Sequence, residues 1–129
     1  MALPKDDHEY LAGKGFQFTV SEEGGMTCVV LKDFPLPAGL TRGASDLLLR
    51  LSPGFPDVKP DMWWFEPPVH RQNGQVINQT EHHEAHLGRT WQRWSRHLED
   101  RQWQPGSDTL ETYVAVIQRE LERAVEVTG

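Results

Sequence analysis

Seven of the chain's nine prolines fall between residues 35 and 68, and their placement limits the fold more than any other feature does. A proline lacks the N–H that a helix interior or a central sheet ladder needs. The pieces left between these prolines and the neighbouring glycines are of strand length. Ala44 to Leu51 is one apolar strand, broken by Ser52-Pro53-Gly54-Phe55-Pro56, whose residues preset a turn. Met62 to Phe65 is the next, ended by Glu66-Pro67-Pro68. Upstream, Phe16, Phe18 and Val20 alternate, Glu23-Gly24-Gly25 supplies a turn, and Met26 to Leu31 resumes in strand-forming residues. These two runs read as an antiparallel hairpin, and Phe34 to Gly39 as a bend or crossover at the sheet edge.

The ends of the chain read differently. Asp6 to Ala12 fits a short helical turn closed by Gly13 and Gly15. From Val69 to Thr90 periodicity is lost and Asn, Gln, Gly and His collect, which predicts a long loop with at most a short helix. Ser107 or Asp108 can cap a helix in which Leu110, Tyr113, Val114, Ile117 and Leu121 recur at three- and four-residue steps. The expected architecture is a single α+β domain over residues 1–129: a four-stranded antiparallel meander, a long irregular segment carrying the active site, and a C-terminal helix.

Bulk properties exclude several classes. With 19 acidic against 13 basic residues the formal net charge is -6, which disfavours nucleic acid as a partner. No apolar run is long enough to span a membrane and no signal-peptide layout opens the chain, so a soluble, cytoplasmic protein is expected. Cys28 is the single cysteine, which rules out an internal disulfide or a multi-cysteine zinc site. Lying in an apolar run, it reads as a small buried hydrophobe.

The densest chemistry lies in Trp91 to Pro105, where Trp91, Trp94 and Trp103 are interleaved with Arg93, Arg96 and Arg101 around Ser95 and His97. A serine hydroxyl is a weak nucleophile near neutral pH and needs a positioned base. His97 would share a side with Ser95 if the segment is extended. If it is helical, a histidine of the preceding loop, His82, His83 or His86, is the better candidate. Arg93 and Arg96 suit planar two-point contacts with a carboxylate. The tryptophans are most simply core and edge packing, with Trp63 and Trp64 on opposite strand faces and at least one of that pair exposed. His82 and His86, four apart, fit one helical face of a metal site, but no third ligand follows by spacing and no metal or cofactor is expected.

Three segments carry a resemblance: LRLSPGFPDVKPDMWWFEPPV at 49–69, KDFPLP at 32–37 and WQRWSRH at 91–97. The first is similar to the stretch of ubiquitin-conjugating enzymes in which an apolar strand enters a Pro-x-x-Tyr-Pro turn, with Phe55-Pro56 for Tyr-Pro. In that family the catalytic cysteine lies eight residues before a tryptophan followed by Ser-Pro. Ser95 here lies eight residues before Trp103-Gln104-Pro105. Over roughly residues 8 to 123 the chain resembles a prokaryotic branch of that superfamily, most specifically in WQRWSRH. It departs in having serine for the thiol, no counterpart of the His-Pro-Asn element beyond the histidine of His86-Leu87-Gly88, and a much reduced first helix.

The resemblance implies a conjugating transferase of a bacterial ubiquitin-like system associated with antiphage defence. Ser95 would accept the modifier's C-terminal glycine from an adenylating activating enzyme as an oxyester, for delivery to a protein substrate. It casts Ser95, His97 and His86 as catalytic candidates, and Trp91, Arg93, Trp94, Arg96 and Trp103 as partner-binding ones. Two alternatives stay open: an inactive adaptor of the same fold that binds the activating enzyme or the modifier, and a metal-dependent hydrolase built on the histidine loop.

Overall fold

The computed structural model describes residues 3–126; residues 1, 2 and 127–129 of the expected domain lie outside them. Helix α1 (Lys5–Gly13) leads into strands β1 (Phe18–Glu23), β2 (Met26–Pro35), β3 (Ala44–Leu51) and β4 (Trp63–Glu66), followed by β5 (His83–His86), β6 (Arg89–Trp94), a short 3-10 turn (Asp100–Gln102) and helix α2 (Leu110–Glu126). The sheet is antiparallel throughout, in the order β1-β2-β3-β4-β6-β5. No helix among the described residues is long and apolar enough to cross a membrane.

The expected meander is present as β1 to β4, with β3 at its expected bounds, but six strands replace the expected four. Strand β5 and the start of β6 come from the segment read as an irregular loop. His83 to His86 pairs with Arg89 to Gln92, in the register His83↔Gln92 to His86↔Arg89, and β6 inserts between β4 and β5. The hairpin is hidden in the sequence because β5 is a polar edge strand with no apolar alternation to betray it. Its turn is Leu87-Gly88, both at positive φ, the two-residue geometry that matches strand twist. Gly24 and Gly25 do the same between β1 and β2.

Strand β2 also runs further than expected, through Pro35. Its register with β1 ends at Phe18↔Leu31, so the missing N–H of Pro35 interrupts no β1 ladder, while Pro35 stays in register with Ala44 of β3 beyond an irregularity between Leu31 and Phe34.

One face of the sheet packs on α2 and α1. Leu47, Leu49, Leu51, Trp63, Phe65 and Trp94 meet Leu110, Tyr113, Val114, Ile117 and Leu121 there. The helix stripe falls on the residues its periodicity predicts. The buried Asp7 of α1 accepts a hydrogen bond from the Leu110 N–H at 3.1 Å, tying the two helices together at the free N-terminal donors of α2.

The other face holds a second, smaller cluster of Cys28, Val30, Leu48, Trp64 and Trp91. The sheet curls over it until Glu23, at the end of β1, accepts from the Leu87 N–H in the β5–β6 turn at 2.8 Å. Trp63 and Trp64 do point to opposite faces, yet both are buried, because this curl closes the second face too.

Candidate functional site

Ser95 is the residue at which β6 leaves the regular ladder. Trp63 pairs with Trp94, but the next bond joins the Met62 N–H to the Arg96 carbonyl at 3.0 Å. The β6 chain therefore advances two residues while the β4 chain advances one, and the extra residue is Ser95. Such bulges bend a strand and re-aim its side chains. The Ser95 N–H is held on the opposite side by the Gln79 carbonyl at 3.0 Å. Its half-buried hydroxyl accepts from Arg93 Nε at 3.1 Å.

Arg93 links this hydroxyl to a polar chain along the second face. Its Nη1 donates to Glu84 at 2.6 Å, and Glu84 also accepts from Trp64 Nε1 at 2.9 Å and contacts His86 Nε2 at 3.2 Å. His86 Nδ1 lies 3.5 Å from Glu23. Burial pushes the Glu84 carboxyl up, but the donors from Trp64, His86 and Arg93 outweigh it and hold it below the usual carboxylate range. The Leu87 N–H chiefly holds Glu23 low.

The expected site residues are thus divided. Ser95 and Arg93 come together. His86 sits at the turn end of the β5–β6 hairpin, opposite Arg89, and reaches Ser95 at the far end of β6 only through Glu84 and Arg93. The His86-Leu87-Gly88 element is a hairpin turn. His82 immediately precedes β5 and His86 ends it, so the segment between them is extended and not helical, which spreads them by about 13 Å. Among the described residues no group of three metal-binding side chains forms.

His97 is 65% exposed and its Nδ1 bonds Asp61, itself 51% exposed, at 2.5 Å. Arg96 is turned toward α2: its Nε donates to Glu120 at 3.1 Å, its Nη1 to the Asn78 carbonyl at 2.9 Å, and its guanidinium lies over the Trp94 ring. Trp91, Trp94 and Trp103 are buried. Trp91 and Trp94 fill the two clusters on opposite faces, and Trp103 packs against Phe55 and donates to the Pro56 carbonyl at 2.7 Å. In this arrangement the three rings are inside the protein, and the residues between them that reach the surface are polar.

Two clefts flank the segment after Ser95. One, of about 580 Å³, is lined by Asp57, Lys59, Asp61, His97, Asp100 and Trp103. The other, of about 510 Å³, lies against α2 and includes Trp63, Arg96, His97, Arg119, Glu120 and Arg123. Asp61 and Gln79 are not singled out by the sequence. Neither carries a spacing signal, since Asp61 meets His97 only through the register shift and Gln79 meets Ser95 only because the loop after β4 returns beside β6.

Cys28 is 0% exposed in the middle of β2, so no thiol is presented on the surface. The arrangement offers one hydroxyl beside a guanidinium at a strand bulge and one exposed imidazole beside a carboxylate two residues further on. Acyl transfer can use groups of these kinds, a hydroxyl nucleophile, a cationic donor and a carboxylate-paired imidazole.

No curated protein and no solved structure matches the chain. A family model does, that of Prokaryotic E2 family E, over residues 3–124. That match spans α1, the whole sheet and most of α2, and brings with it an E2-like conjugating role in general terms. By that match, the chain belongs to Prokaryotic E2 family E.

Proposed function

We propose that this protein is an acyl carrier of a prokaryotic ubiquitin-like conjugation pathway, working in the cytoplasm and serving antiphage defence. Ser95 accepts the C-terminal glycine of a ubiquitin-like protein from an adenylating activating enzyme and passes it to a protein substrate. The observation that carries the reading is the contrast between the only cysteine, sealed inside the sheet, and Ser95, half-buried at a bulge eight residues before Trp103.

In the loading step the Ser95 Oγ bonds to the glycine carbonyl as the bond from that carbonyl to the activating enzyme's thiol breaks. The hydroxyl proton leaves with the thiol. Arg93 Nε, already donating to Oγ, stabilises the negative charge that returns to this oxygen when the ester is later cleaved. An oxyester is less reactive toward amines than a thioester, which suits slow and controlled transfer.

Incubation with the activating enzyme, ATP and the modifier tests this. A covalent adduct that resists reducing agent, is cleaved by base and is lost in Ser95→Ala is the expected result. A wild-type protein that stays unmodified while the activating enzyme is charged would overturn it. One observation favours a second reading, an adaptor that binds the activating enzyme or modifier without carrying it: the Ser95 hydroxyl is engaged by a guanidinium and not by an imidazole. That same unmodified outcome, together with retained binding to the activating enzyme or modifier, selects the adaptor.

A further inference from the structure

The register shift at Ser95 has a second effect, on the opposite strand. Had the Trp63↔Trp94 pairing continued unbroken, Asp61 would face Arg96; with the Met62 N–H on the Arg96 carbonyl, Asp61 instead faces His97. Met62 is held in a left-handed conformation at φ 59, one that a side chain this large adopts only when its surroundings impose it. They do so from both sides. Its N–H is taken by Arg96, and its carbonyl accepts from the Tyr113 hydroxyl of α2 at 2.6 Å.

Core packing thus fixes the backbone next to an exposed carboxylate and aims that carboxylate at one imidazole nitrogen. His97 Nε2 has no partner among the described residues.

We infer that Asp61 is the positioning residue of His97: it accepts the Nδ1 proton, fixes the tautomer whose Nε2 carries the lone pair, and presents that nitrogen as the base for acyl transfer at Ser95. The inference rests on the Ser95 reading. As Oγ bonds to the modifier's glycine carbonyl, its proton passes to Nε2. As the carbonyl's bond to the activating enzyme's sulfur breaks, Nε2 returns the proton to the departing thiolate. In the discharge step the roles repeat, with the proton taken from an acceptor amine and given to the Ser95 oxygen as the ester breaks and an amide forms. The carboxylate keeps its charge throughout and compensates the imidazolium that forms transiently. In the free protein Ser95 Oγ bonds Arg93 and not His97, and catalytic hydrogen bonds are often formed only in the complex.

The test is single-turnover loading by the charged activating enzyme, comparing Asp61→Asn, Asp61→Glu and, as a control for local charge, Asp57→Asn in the same cleft. Asp61→Asn is expected to lower the maximal loading rate about ten- to hundredfold while leaving unchanged the activating-enzyme concentration for half-maximal rate. Asp61→Glu recovers most of the rate, and Asp57→Asn retains it.

Nitrogen-15 NMR of the His97 ring supplies a readout that a structural role would not move. The wild type shows the Nδ1-protonated tautomer, and Asp61→Asn a mixture. Loading of Asp61→Asn at the wild-type rate overturns the inference and leaves Ser95 as the carrier. So does an unchanged His97 tautomer. A wild type that never loads overturns the Ser95 reading itself.

Discussion

The two faces of the sheet are built by opposite means. The face under α2 is large and mainly apolar: Trp94 stacks on Trp63 with centroids 6.4 Å apart and meets Phe65 edge-on at 5.5 Å. The second face has only five buried side chains in its cluster, and charges surround them. Arg89 lies 4.4 Å from the Trp91 ring centroid while reaching Glu66 and Asp46, and Arg93, Glu84, His86, Glu23 and Arg50 complete the rim. A helix could cover the first face because helix and sheet both bring apolar stripes. The second face is closed by the sheet's own curl, so its cover is made of side chains that must also satisfy one another. Ser95 sits at the end of that polar cover, so its neighbour is a guanidinium.

Substitutions on the two faces should differ in cost. Trp94→Ala, on the face under α2, should cost about 3–5 kcal/mol in urea denaturation, from lost transfer energy and an unfilled cavity. Trp91→Ala, in the second cluster, should cost about 3 kcal/mol and also loosen the hairpin turn, since Trp91 Nε1 donates to the His86 carbonyl. Equal or reversed costs would mean that the second face is as much a core as the first. Arg89→Ala removes ion pairs that are partly exposed, together with its cation–π contact, and about 1 kcal/mol is expected. That loss should shrink in high salt.

Acid separates the faces further. Burial raises the Asp46 carboxyl, but the Asp33 N–H and Arg89 outweigh it, so Asp46, like Glu84, is held low. A carboxylate with a lowered folded pKa adds stability above its unfolded value, about 4, and loses it as pH falls through the folded value. Asp7 has the opposite sign. Burial raises it despite the Leu110 N–H, so its favourable contribution is complete only below its unfolded pKa and fades as pH rises through the folded one. Asp7→Asn keeps an acceptor for Leu110 and should raise stability at pH 7 by less than about 1 kcal/mol. The gain should vanish near pH 3. A loss at pH 7 greater than at pH 3 would reverse the assignment.

How much of this is legible in the chain varies with how local the signal is. Strand β3 can be read to its ends because an apolar run is bounded by Gly43 and Pro53. The α2 stripe can be read because a single helix face carries its own periodicity. Strand β5 escapes because an edge strand such as His83–His86 has nothing to alternate between. Trp91, Trp94 and Trp103, which the resemblance casts as partner-binding and their ring size casts as packing, all lie in the interior.

At the site, Ser95 can be singled out by its distance from Trp103, but its contacts cannot. Arg93 meets Ser95 by alternation along one strand, but only once that strand is known to run this far; Asp61 reaches His97 through register, and Gln79 reaches Ser95 because the loop after β4 returns beside β6.

The α+β class, the first four strands and the C-terminal helix follow from short-range features of the chain, proline placement, alternation and helical periodicity, and the candidate nucleophile from a family resemblance carried by motif spacing. Pairing in three dimensions decided the rest. It put β6 into the sheet between β4 and β5, curled the sheet to bury a second cluster, and turned Asp61 toward His97. Those outcomes turn on which strands pair and on a one-residue slip in register, and a slip of one residue changes every opposing side chain without altering a single local preference.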